Sequence, residues 1–450
     1  METPETCDVV VVGAGAAGLM AARELARRGL RVSVLEARDR IGGRILTHRI
    51  AEGPAVELGP EFVHGDNEAL ADVATQAGLA LSPSDEKQWY HDGSKLEGLR
   101  ALWERLGNIM DRLDPERYPS LGAWLEGHSG TLSDQDRVLV REFVEGFHAA
   151  PAALMSARTL RDTRGGTDEE QQHVRNGYDR VPYALAEQCH RLGVRLFLNR
   201  PVGAVEWARG SVRVSTATEM DEPAWVIHAR AAVVTLPLGV LKAPAGEPGA
   251  VVFRPALQGK RELLEQLQPG HVARLVLRFR EGFWEAPQLP APLRENQGRG
   301  FGFIHAPGAG FPVWWSLAPE PVLVAWAGGP AARPLIGLSH QEVQRVALNA
   351  LARILDCPLA TLRGWLVDQH RHDWGADPYS RGAYSFSQAG LEDAGERLAE
   401  PVEDTLFFAG EATAGPDALG TVGGALSSGL RAARQVAGAL LPVLSRDSHE

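Results

Sequence analysis

Cysteine is scarce in this chain, which has only three in 450 residues: Cys7, Cys189 and Cys357. They are far apart in sequence, so the chain has no Cys-x-x-Cys redox pair and no zinc-ligand spacing. A disulfide framework is therefore not expected. Scattered cysteines of this kind fit a reducing compartment, and we predict a cytoplasmic location.

An excess of basic residues is also missing. The 46 lysines and arginines are outnumbered by 57 acidic residues, which gives a formal net charge of -11. Because a nucleic-acid-binding protein needs a basic surface, this balance argues against nucleic acid as the main partner. It mildly suits a cationic substrate, although salt screens surface charges beyond about 8 Å.

Long hydrophobic segments are lacking as well. The apolar run at residues 231–241 is interrupted by Pro237 and is too short to span a bilayer, so no membrane partner is expected. The polar residues 1–6 lead directly into an apolar strand, and no secretory signal is expected there. A length of 450 residues with 44% hydrophobic and 23% charged residues suits a soluble protein of two domains.

The most informative feature that is present is a glycine-rich turn after an apolar strand. Val9–Val12 has the β-branched composition of a buried parallel strand, and Gly13, Gly15 and Gly18 follow with dinucleotide-fingerprint spacing. In this fingerprint the first glycine permits the tight turn. The second lets the backbone approach a pyrophosphate, and the third lets the helix pack on the strand.

The segment that follows completes the expected unit. A helix is predicted over residues 16–28, with its positive N-terminal end toward the pyrophosphate. A second strand, Val32–Leu35, ends at Glu36, where an acidic side chain accepts hydrogen bonds from a ribose. Strand, turn, helix, strand and acid in this order predict a dinucleotide site rather than a glycine-rich turn in an ordinary α/β unit.

The rest of the chain alternates between segments with a helical pattern and segments with a strand pattern. Residues 99–189 are mostly helical in pattern, with Ser133 as an expected helix N-cap, and a hairpin is expected at residues 89–96. Further strands are expected at residues 195–198, 212–216, 226–228, 232–236, 275–279, 322–326 and 406–409, and further helices at residues 181–192, 339–355 and 421–441.

Six segments, taken in order, carry a resemblance to a known family. They are the fingerprint with its Gly42-Gly43-Arg44 extension, ELGPEFVHG at residues 57–65, NGYDRVP at 176–182, VVTLPLGVLK at 233–242, WGADPYSRGAYS at 374–385, and FAGEAT at 408–413 with GTVGGA at 420–425. Together they resemble the flavin-dependent amine oxidase superfamily, which includes monoamine oxidases, polyamine oxidases and lysine-specific histone demethylases. The chain looks like a bacterial-type member.

This resemblance implies an α/β fold in which a Rossmann-like FAD-binding domain is interleaved with an α+β substrate-binding domain, the glutathione-reductase-like amine oxidase fold. The FAD-binding domain is expected to be discontinuous, over residues 1–82, 194–242 and 400–444. The substrate-binding domain is expected at residues 83–193 and 243–399, and residues 445–450 are expected to form a tail.

FAD is the cofactor that the resemblance implies. Glu36 is expected at the adenosine ribose, Val202 at the adenine, Arg44 at the pyrophosphate and Glu411 near the ribityl chain. A solvated loop charge is the alternative for Arg44, and an ordinary helix N-cap is the alternative for Glu411. The helix that opens at Thr421 suits the flavin N1/C2 carbonyl region. The expected cofactor-binding set is Gly13, Gly15, Ala17, Gly18, Glu36, Ala37, Arg38, Gly43, Arg44, Gly59, Pro60, Glu61, Val202, Gly410, Glu411, Thr421 and Val422.

The resemblance implies oxidation of a small amine. Hydride passes from the α-carbon of the neutral amine to flavin N5, the imine is hydrolysed to an aldehyde or ketone, and O2 reoxidises the flavin to give H2O2. Tyr384 matches an aromatic-cage position beside the flavin, with a packed core tyrosine as the alternative. Thr421 stands where monoamine oxidases have a second cage tyrosine. Ala383 stands where they have the cysteine that attaches FAD, so non-covalent FAD is expected.

Arg274 is the main departure from the family pattern. The family usually has a lysine there, which holds a water against flavin N5. An arginine cannot act as a base, because its pKa exceeds about 12, but it can orient a water or pair with a carboxylate. Three alternatives remain open: Arg274 still holds the water, Arg274 pairs with an acid group of the substrate, or catalysis is weaker than in the family. Arg274, Tyr384 and Thr421 form the expected catalytic set.

Substrate contacts are expected from Glu61, His64 and Tyr384. His64 matches a position that polyamine oxidases use near the substrate, and Glu61 can pair with the distal ammonium of a diamine. A loop hydrogen bond and a local ion pair are the respective alternatives. His370 and His372 have no further ligand at a suitable spacing, so no metal is expected.

The predicted function is FAD-dependent oxidation of a polyamine or monoamine. An L-amino-acid oxidase or a related flavin desaturase is the enzymatic alternative, with Arg274 as a clamp for the substrate carboxylate. A non-catalytic binding protein on the same fold is the alternative from another class, and the intact cofactor motifs with Tyr384 argue against it.

Overall fold

A five-stranded parallel sheet follows from the apolar strands around the glycine turn. In this computed structural model its strands run, from edge to edge, Arg195–Phe197, Val32–Leu35, Val9–Val12, Ala231–Val234 and Leu406–Phe408. Every neighbouring pair is parallel. All strands except the first edge strand are fully buried, which explains why their residues, apart from Ser33, are apolar.

The structure describes residues 5–441 except residues 52, 65–66, 84–86, 99–101, 167–170, 218–224 and 286–300. The expected tail at residues 445–450 and Gly65 of the second family segment lie outside the described residues. None of the described helices has the length and apolarity that are needed to cross a bilayer.

Three helices cover one face of the parallel sheet. The fingerprint helix, Ala16–Arg27, packs between the terminal helix, Val422–Leu440, and the helix Arg180–Arg191. Their apolar faces share one core with the strand residues on this side of the sheet. The fingerprint helix is buried along most of its length because both of its flanks carry neighbouring helices.

A second five-stranded sheet covers the opposite face. Its order is Glu5–Thr6, Val226–Ala229, Ser211–Thr216, Val202–Ala208 and Val252–Arg254. Alternate residues of these strands turn inward and meet the parallel sheet in a separate core. The alternation follows from the two-residue period of a strand with one buried face.

A seven-stranded sheet forms most of the remaining β structure. Its order is Leu366–His370, Val272–Phe279, Val322–Gly328, Val313–Ser316, Phe303–His305, Gln88–His91 and Leu96–Gly98, and only the pair Phe303–His305 with Gln88–His91 is parallel. One face packs on the helix His340–Ile354. The other face holds Val276, Trp315 and Val324 in a smaller core. Strand alternation places Arg274 on the same face as Val276.

A helical layer lies next to this sheet and packs around its own core. It contains Leu102–Met110, Leu121–Gly127, the cavity helix Asp134–Phe147, and Ala157–Asp162. The remaining strands form two small sheets, Thr47–Arg49 with Ala55–Glu57, and Phe62–His64 with Gln171–Val174 and Leu81–Pro83. The other α-helices in the described part of the chain are Glu68–Ala77, Leu238–Leu241, Gln258–Gln266, Leu359–Trp365 and Ala394–Ala399.

Most predicted elements are present with ends within a few residues of those expected. Ser133 caps the cavity helix by accepting a hydrogen bond from the Asp136 N–H at 3.0 Å, as predicted. The expectation of a mostly helical stretch over residues 99–189 is wrong at Gln171–Val174, which is a strand. It pairs on both sides with strands from residues 62–64 and 81–83. Local sequence pattern does not reveal such distant partners.

The contact between the fingerprint and terminal helices gives a stability prediction. A Cβ added at Gly429 would lie 2.4 Å from the Ala17 carbonyl oxygen, whereas one added at Gly438 of the same helix would meet nothing within 4 Å. We expect Gly429→Ala to lower the free energy of unfolding by about 1–3 kcal/mol, since the helices must separate. Gly438→Ala should raise it by about 0.5–1 kcal/mol. Denaturant titration followed by circular dichroism measures both, and equal effects would contradict this packing.

Candidate functional site

A cavity of about 420 Å³ extends from the glycine turn to the helical layer. Every residue of the expected cofactor-binding set lines it except Gly18. Gly18 lies behind the turn, where a Cβ would stand 2.0 Å from the Gly13 carbonyl oxygen. Its lack of a side chain therefore allows the fingerprint helix to cross close over the strand, which is the role predicted for it.

The glycine-turn end of the cavity is suited to an anion. Gly15 is the N-cap of the fingerprint helix, and no side chain caps the N–H groups of the first turn. A Cβ at Gly15 would meet nothing within 4 Å, so the backbone here faces open space. Gly43 approaches from the other side, where its Cβ position is 3.5 Å from the Gly15 Cα. Uncapped amides at a helix N-terminus favour phosphate groups.

Glu36 is buried beside this anion site. Its carboxylate accepts hydrogen bonds from the Ala14 N–H at 2.8 Å and from the Arg38 N–H at 3.0 Å. Val202 is buried nearby, because the chain before it runs beside Glu36 and the Arg200 N–H donates to the Glu36 carbonyl at 2.8 Å. These bonds fix the position of the carboxylate at the cavity wall.

Arg38 has a partner that the sequence did not reveal. Its guanidinium donates to the Asp377 carboxylate at 2.8 Å and to the Ser380 hydroxyl at 2.9 Å. His372 lies 2.7 Å from the same carboxylate. Although burial acts in the opposite direction, hydrogen bonds from His372 and Arg38 hold the pKa of Asp377 below its usual range. Arg38 therefore ties the residue 377–380 loop to the end of the cavity that holds Glu36.

Arg44 and Glu411 were predicted separately, and the structure pairs them. The Arg44 guanidinium lies 2.8 Å from the Glu411 carboxylate and also donates to the Ala383 carbonyl at 2.6 Å. Glu411 is buried and accepts a second hydrogen bond from the Ser385 N–H at 3.1 Å. Arg44 is thus not a freely solvated loop charge. The pair joins three distant segments of the chain at the middle of the cavity.

The terminal helix begins at the cavity wall with Thr421 as its N-cap. The Thr421 hydroxyl accepts a hydrogen bond from the Gly424 N–H at 2.9 Å and donates to the Ala418 carbonyl at 2.8 Å. The hydroxyl expected in the catalytic set is therefore engaged in the cap. The amides of Val422 and Gly423 belong to the first turn, which no carbonyl within the helix can satisfy. They line the cavity and present a positive helix end to it.

Aromatic side chains enclose the cavity beyond this helix end. Tyr384 lines it, and its hydroxyl donates to the Phe147 carbonyl at 2.7 Å. Burial raises the pKa of Tyr384 well above its usual range, so the phenol stays neutral. Trp326 and Trp374 also line the cavity. Their indole N–H groups are occupied by the carbonyls of Gly146 at 3.1 Å and Leu58 at 2.8 Å, which leaves the rings as the cavity surface.

Arg274 and Glu61 form a buried ion pair. Arg274 donates to the Glu61 carboxylate and lies 5.2 Å from the centre of the Trp315 ring. The Trp315 indole N–H donates to the same carboxylate at 3.2 Å, and His173 lies 3.5 Å from it. The partner of Arg274 is therefore a carboxylate of this chain. Glu61 lines the cavity while it is paired in this way, and its contact with a distal ammonium stays a prediction.

Two histidines present buried nitrogen atoms to the cavity. His64 was expected here, whereas His148, which follows the cavity helix, was not. Among the described residues, His64 Nδ1 and His148 Nε2 have no hydrogen-bond partner. Burial lowers the pKa of each to about 4, so both imidazoles are neutral at physiological pH.

The sequence predicted the cavity helix and its cap at Ser133, but it did not show that this helix lines the cavity. Glu142, Phe143, Gly146 and Phe147 line the cavity at helical spacing. That spacing predicts a buried helix face, but it does not distinguish a cavity wall from a packed core. His370, the last residue of the strand Leu366–His370, and His372 each have an aspartate partner, at 3.1 Å and 2.7 Å. Within the described part of the chain, no three His, Cys, Asp or Glu side chains converge as a metal site.

Comparison with known proteins agrees with this geometry. Residues 16–437 match the family of flavin-containing amine oxidoreductases. Polyamine oxidase 2 of Arabidopsis thaliana is 30% identical over 94% of this chain and 87% of its own length. Lysine-specific histone demethylase 1 homolog 3 of the same plant is 29% identical over 95% of this chain. The chain covers 30% of that demethylase and about half, 52%, of lysine-specific histone demethylase 1B of Mus musculus.

Solved structures show the same fold. A putrescine oxidase bound to putrescine superimposes with a TM-score of 0.78 at 23% identity, covering 97% of this chain and 100% of that chain. Cyclohexylamine oxidase from Brevibacterium oxydans superimposes with a TM-score of 0.76 at 20% identity, covering 96% and 99%. The predicted α/β amine oxidase fold is thereby confirmed. The match over residues 16–437 shows that this chain belongs to the family of flavin-containing amine oxidoreductases.

Proposed function

We propose that FAD binds along this cavity without a covalent link. The uncapped first turn at Gly15 suits the pyrophosphate, the fixed Glu36 carboxylate suits the adenosine ribose, and the N-terminal end of the terminal helix suits the flavin carbonyl edge. None of the three cysteines lines the cavity, since each belongs to an apolar core. Acid precipitation should accordingly release all of the yellow colour from the protein.

We further propose that the protein oxidises a small amine to an imine, which water hydrolyses to an aldehyde or ketone, with O2 reduced to H2O2. Bound FAD would supply the acceptor for a hydride from the α-carbon of the amine. The observation that carries this proposal is the continuity of the cavity. It passes from the glycine turn, past the Arg44–Glu411 pair and the terminal helix, directly into the aromatic enclosure around Tyr384.

The enclosure suits an amine that arrives as an ammonium ion and loses a proton, so that it is bound in its neutral form. An apolar, aromatic surrounding disfavours the charged form, so the pKa of a bound amine falls and its lone pair becomes available. The Tyr384 ring can hold the nitrogen at its face, in agreement with the predicted cage position. The neutral imidazoles of His64 and His148 place no positive charge near it.

The Arg274–Glu61 pair favours simple amines over amino acids. A clamp for a substrate carboxylate needs a cation that is free to bind it. Arg274 is buried, its charge is already neutralised by Glu61, and it packs over the Trp315 ring. A substrate carboxylate would have to displace a buried partner, which costs far more than it gains. The geometry therefore supports an amine oxidase rather than the L-amino-acid oxidase considered as the alternative.

The first test is a peroxide-release screen of the FAD-loaded protein. We expect H2O2 from alkylamines, arylalkylamines or polyamines, and slower turnover of L-amino acids at the same concentration. Aldehyde or ketone should appear in equal amount to H2O2. A yellow protein that oxidises no amine would support the alternative of a non-catalytic binding protein. Faster turnover of L-amino acids than of amines would support the alternative in which Arg274 binds the substrate carboxylate.

The second prediction concerns FAD retention. Glu36→Gln weakens two charge-assisted hydrogen bonds at the cavity wall and removes the charged acceptor for the ribose, so we expect about a tenfold or greater rise in the Kd of FAD. Glu187→Gln is the matched control, because Glu187 is exposed and pairs only with Arg191 at 3.2 Å on the same helix. Titration of the apoprotein with FAD gives both constants. Equal FAD affinity in the two variants would exclude the ribose role.

The third prediction concerns the buried pair. Glu61→Gln or Arg274→Gln leaves one uncompensated buried charge, and each should lower the free energy of unfolding by about 3–5 kcal/mol. In the double variant the free energy of unfolding should fall by much less than the sum of the two single losses, because neither buried charge remains. The exposed pair of Arg261 and Glu265, 3.0 Å apart, is the control and should contribute no more than about 0.5 kcal/mol. Additive losses in a double-mutant cycle at Glu61 and Arg274 would show that the two charges are not coupled.

A further inference from the structure

Glu142 lies on the cavity wall away from Tyr384. It belongs to the cavity helix, and Phe147 lies at the end of the same helix, five residues further on. Five residues advance about 7.5 Å along a helix axis. Phe147 is at the Tyr384 end, since its carbonyl accepts the tyrosine hydroxyl at 2.7 Å. Glu142 therefore lies more than one helical turn from Phe147 and from the Tyr384 hydroxyl that Phe147 binds, on a wall of the same cavity.

The charge of Glu142 is not matched in the way that other charges on the wall are. Arg38, Arg44 and Arg274 have carboxylate partners in Asp377, Glu411 and Glu61. In residues 5–441, apart from the gaps given above, no basic side chain forms an ion pair with Glu142. Glu142 is thus a half-buried carboxylate that faces the cavity without a counter-ion from the described chain.

The surroundings of Glu142 favour a cation from the cavity. Desolvation raises the pKa of Glu142, Glu145 adds to this rise, and the Gly308 N–H and Arg141 only partly offset it. A positive group brought beside the carboxylate would restore the stabilisation of the charged form that burial removes. The neighbouring His305 cannot supply that charge, because burial lowers its pKa to about 4.

The space between Tyr384 and Glu142 suits an alkyl chain. Phe143 and Phe147 are stacked with ring centres 5.4 Å apart, and Trp103 meets the edge of Phe143 at 5.6 Å. All three rings line the cavity. Aromatic walls of this kind bind methylene groups by burial of apolar surface. The cavity therefore offers an amine position at one end, an apolar passage, and a carboxylate at the other end.

We infer that Glu142 binds the second ammonium group of a diamine or polyamine whose first amino group is oxidised beside Tyr384. This inference rests on the proposed amine oxidation and specifies its substrate class. Glu142 thereby takes the role that the sequence suggested for Glu61, whose carboxylate is held by Arg274.

The test compares pentane-1,5-diamine with pentan-1-amine, which differ only in the distal amino group. Anaerobic mixing of each with the FAD-loaded protein gives an apparent Kd and a limiting rate of flavin bleaching. In the native protein the diamine should bind more tightly. Glu142→Gln should raise the apparent Kd of the diamine by about 10- to 100-fold, as expected when one partner of a buried charge pair is lost. The limiting rate and the monoamine constants should stay within about twofold.

Glu145→Gln is the matched control on the same helix. Glu145 does not line the cavity, and its carboxylate accepts a hydrogen bond from the Ala152 N–H at 2.9 Å, which a glutamine oxygen can still accept. This variant should bind both amines as the native protein does. 5-Aminopentan-1-ol, which carries a neutral distal hydroxyl, should behave as the monoamine does.

Three results would overturn the inference. They are equal effects of Glu142→Gln on diamine and monoamine, no effect on either, and binding of the amino alcohol as tight as that of the diamine. Failure of the native protein to oxidise any amine would instead refute the proposed function, and the inference with it. Unchanged flavin absorbance and melting temperature in Glu142→Gln would show that a changed Kd does not come from loss of fold.

Discussion

The close crossing of the fingerprint helix over the strand Val9–Val12 is the constraint on which the rest of the site depends. At Gly18 there is no room for even a methyl group, because the Gly13 carbonyl oxygen occupies its place. This contact aims the first turn of the helix, with its uncapped amides, into the cavity. The terminal helix packs on the same helix at Gly429 and opens at the same cavity. Close backbone contacts at Gly18 and Gly429 therefore help to hold two positive helix ends in one cavity.

Charged side chains then connect segments that are far apart in sequence. Arg38 reaches Asp377, Arg44 reaches Glu411, and Glu61 reaches Arg274, over separations of 339, 367 and 213 residues. Each link removes a charge from the cavity wall by pairing it, and each fixes one segment against another. Assembly of the cofactor end and of the substrate end is thus coupled to the overall fold, and the loss of one partner leaves a buried charge.

Near Tyr384, the histidines and the tyrosine of the cavity wall are uncharged, and the charge of Arg274 is paired. Burial keeps the imidazoles of His64, His148 and His305 uncharged, and Tyr384 remains a neutral phenol. With Arg274 neutralised by Glu61, the described wall at this end offers a passing amine aromatic faces rather than positive charge. Glu142 then supplies the negative end of the passage. The cationic amine that we propose as substrate would therefore be attracted by a charge inside the cavity, and not by the net surface charge, which salt screens.

The sequence by itself determined the buried strands of the parallel sheet, the glycine turn, the cap at Ser133 and the place of Glu36 at the end of the second strand. These features depend on contacts within a few residues or on backbone requirements that only certain residue types satisfy. The family resemblance added Arg44, Val202, Glu411 and Tyr384, all of which line the cavity. Only the tertiary structure decided that Arg274 and Glu61 satisfy each other, that Gln171–Val174 is a strand, and that Glu142 faces the cavity. A charged residue in a sequence does not show which distant segment will neutralise it, because that partner is chosen by packing and desolvation once the chain has folded.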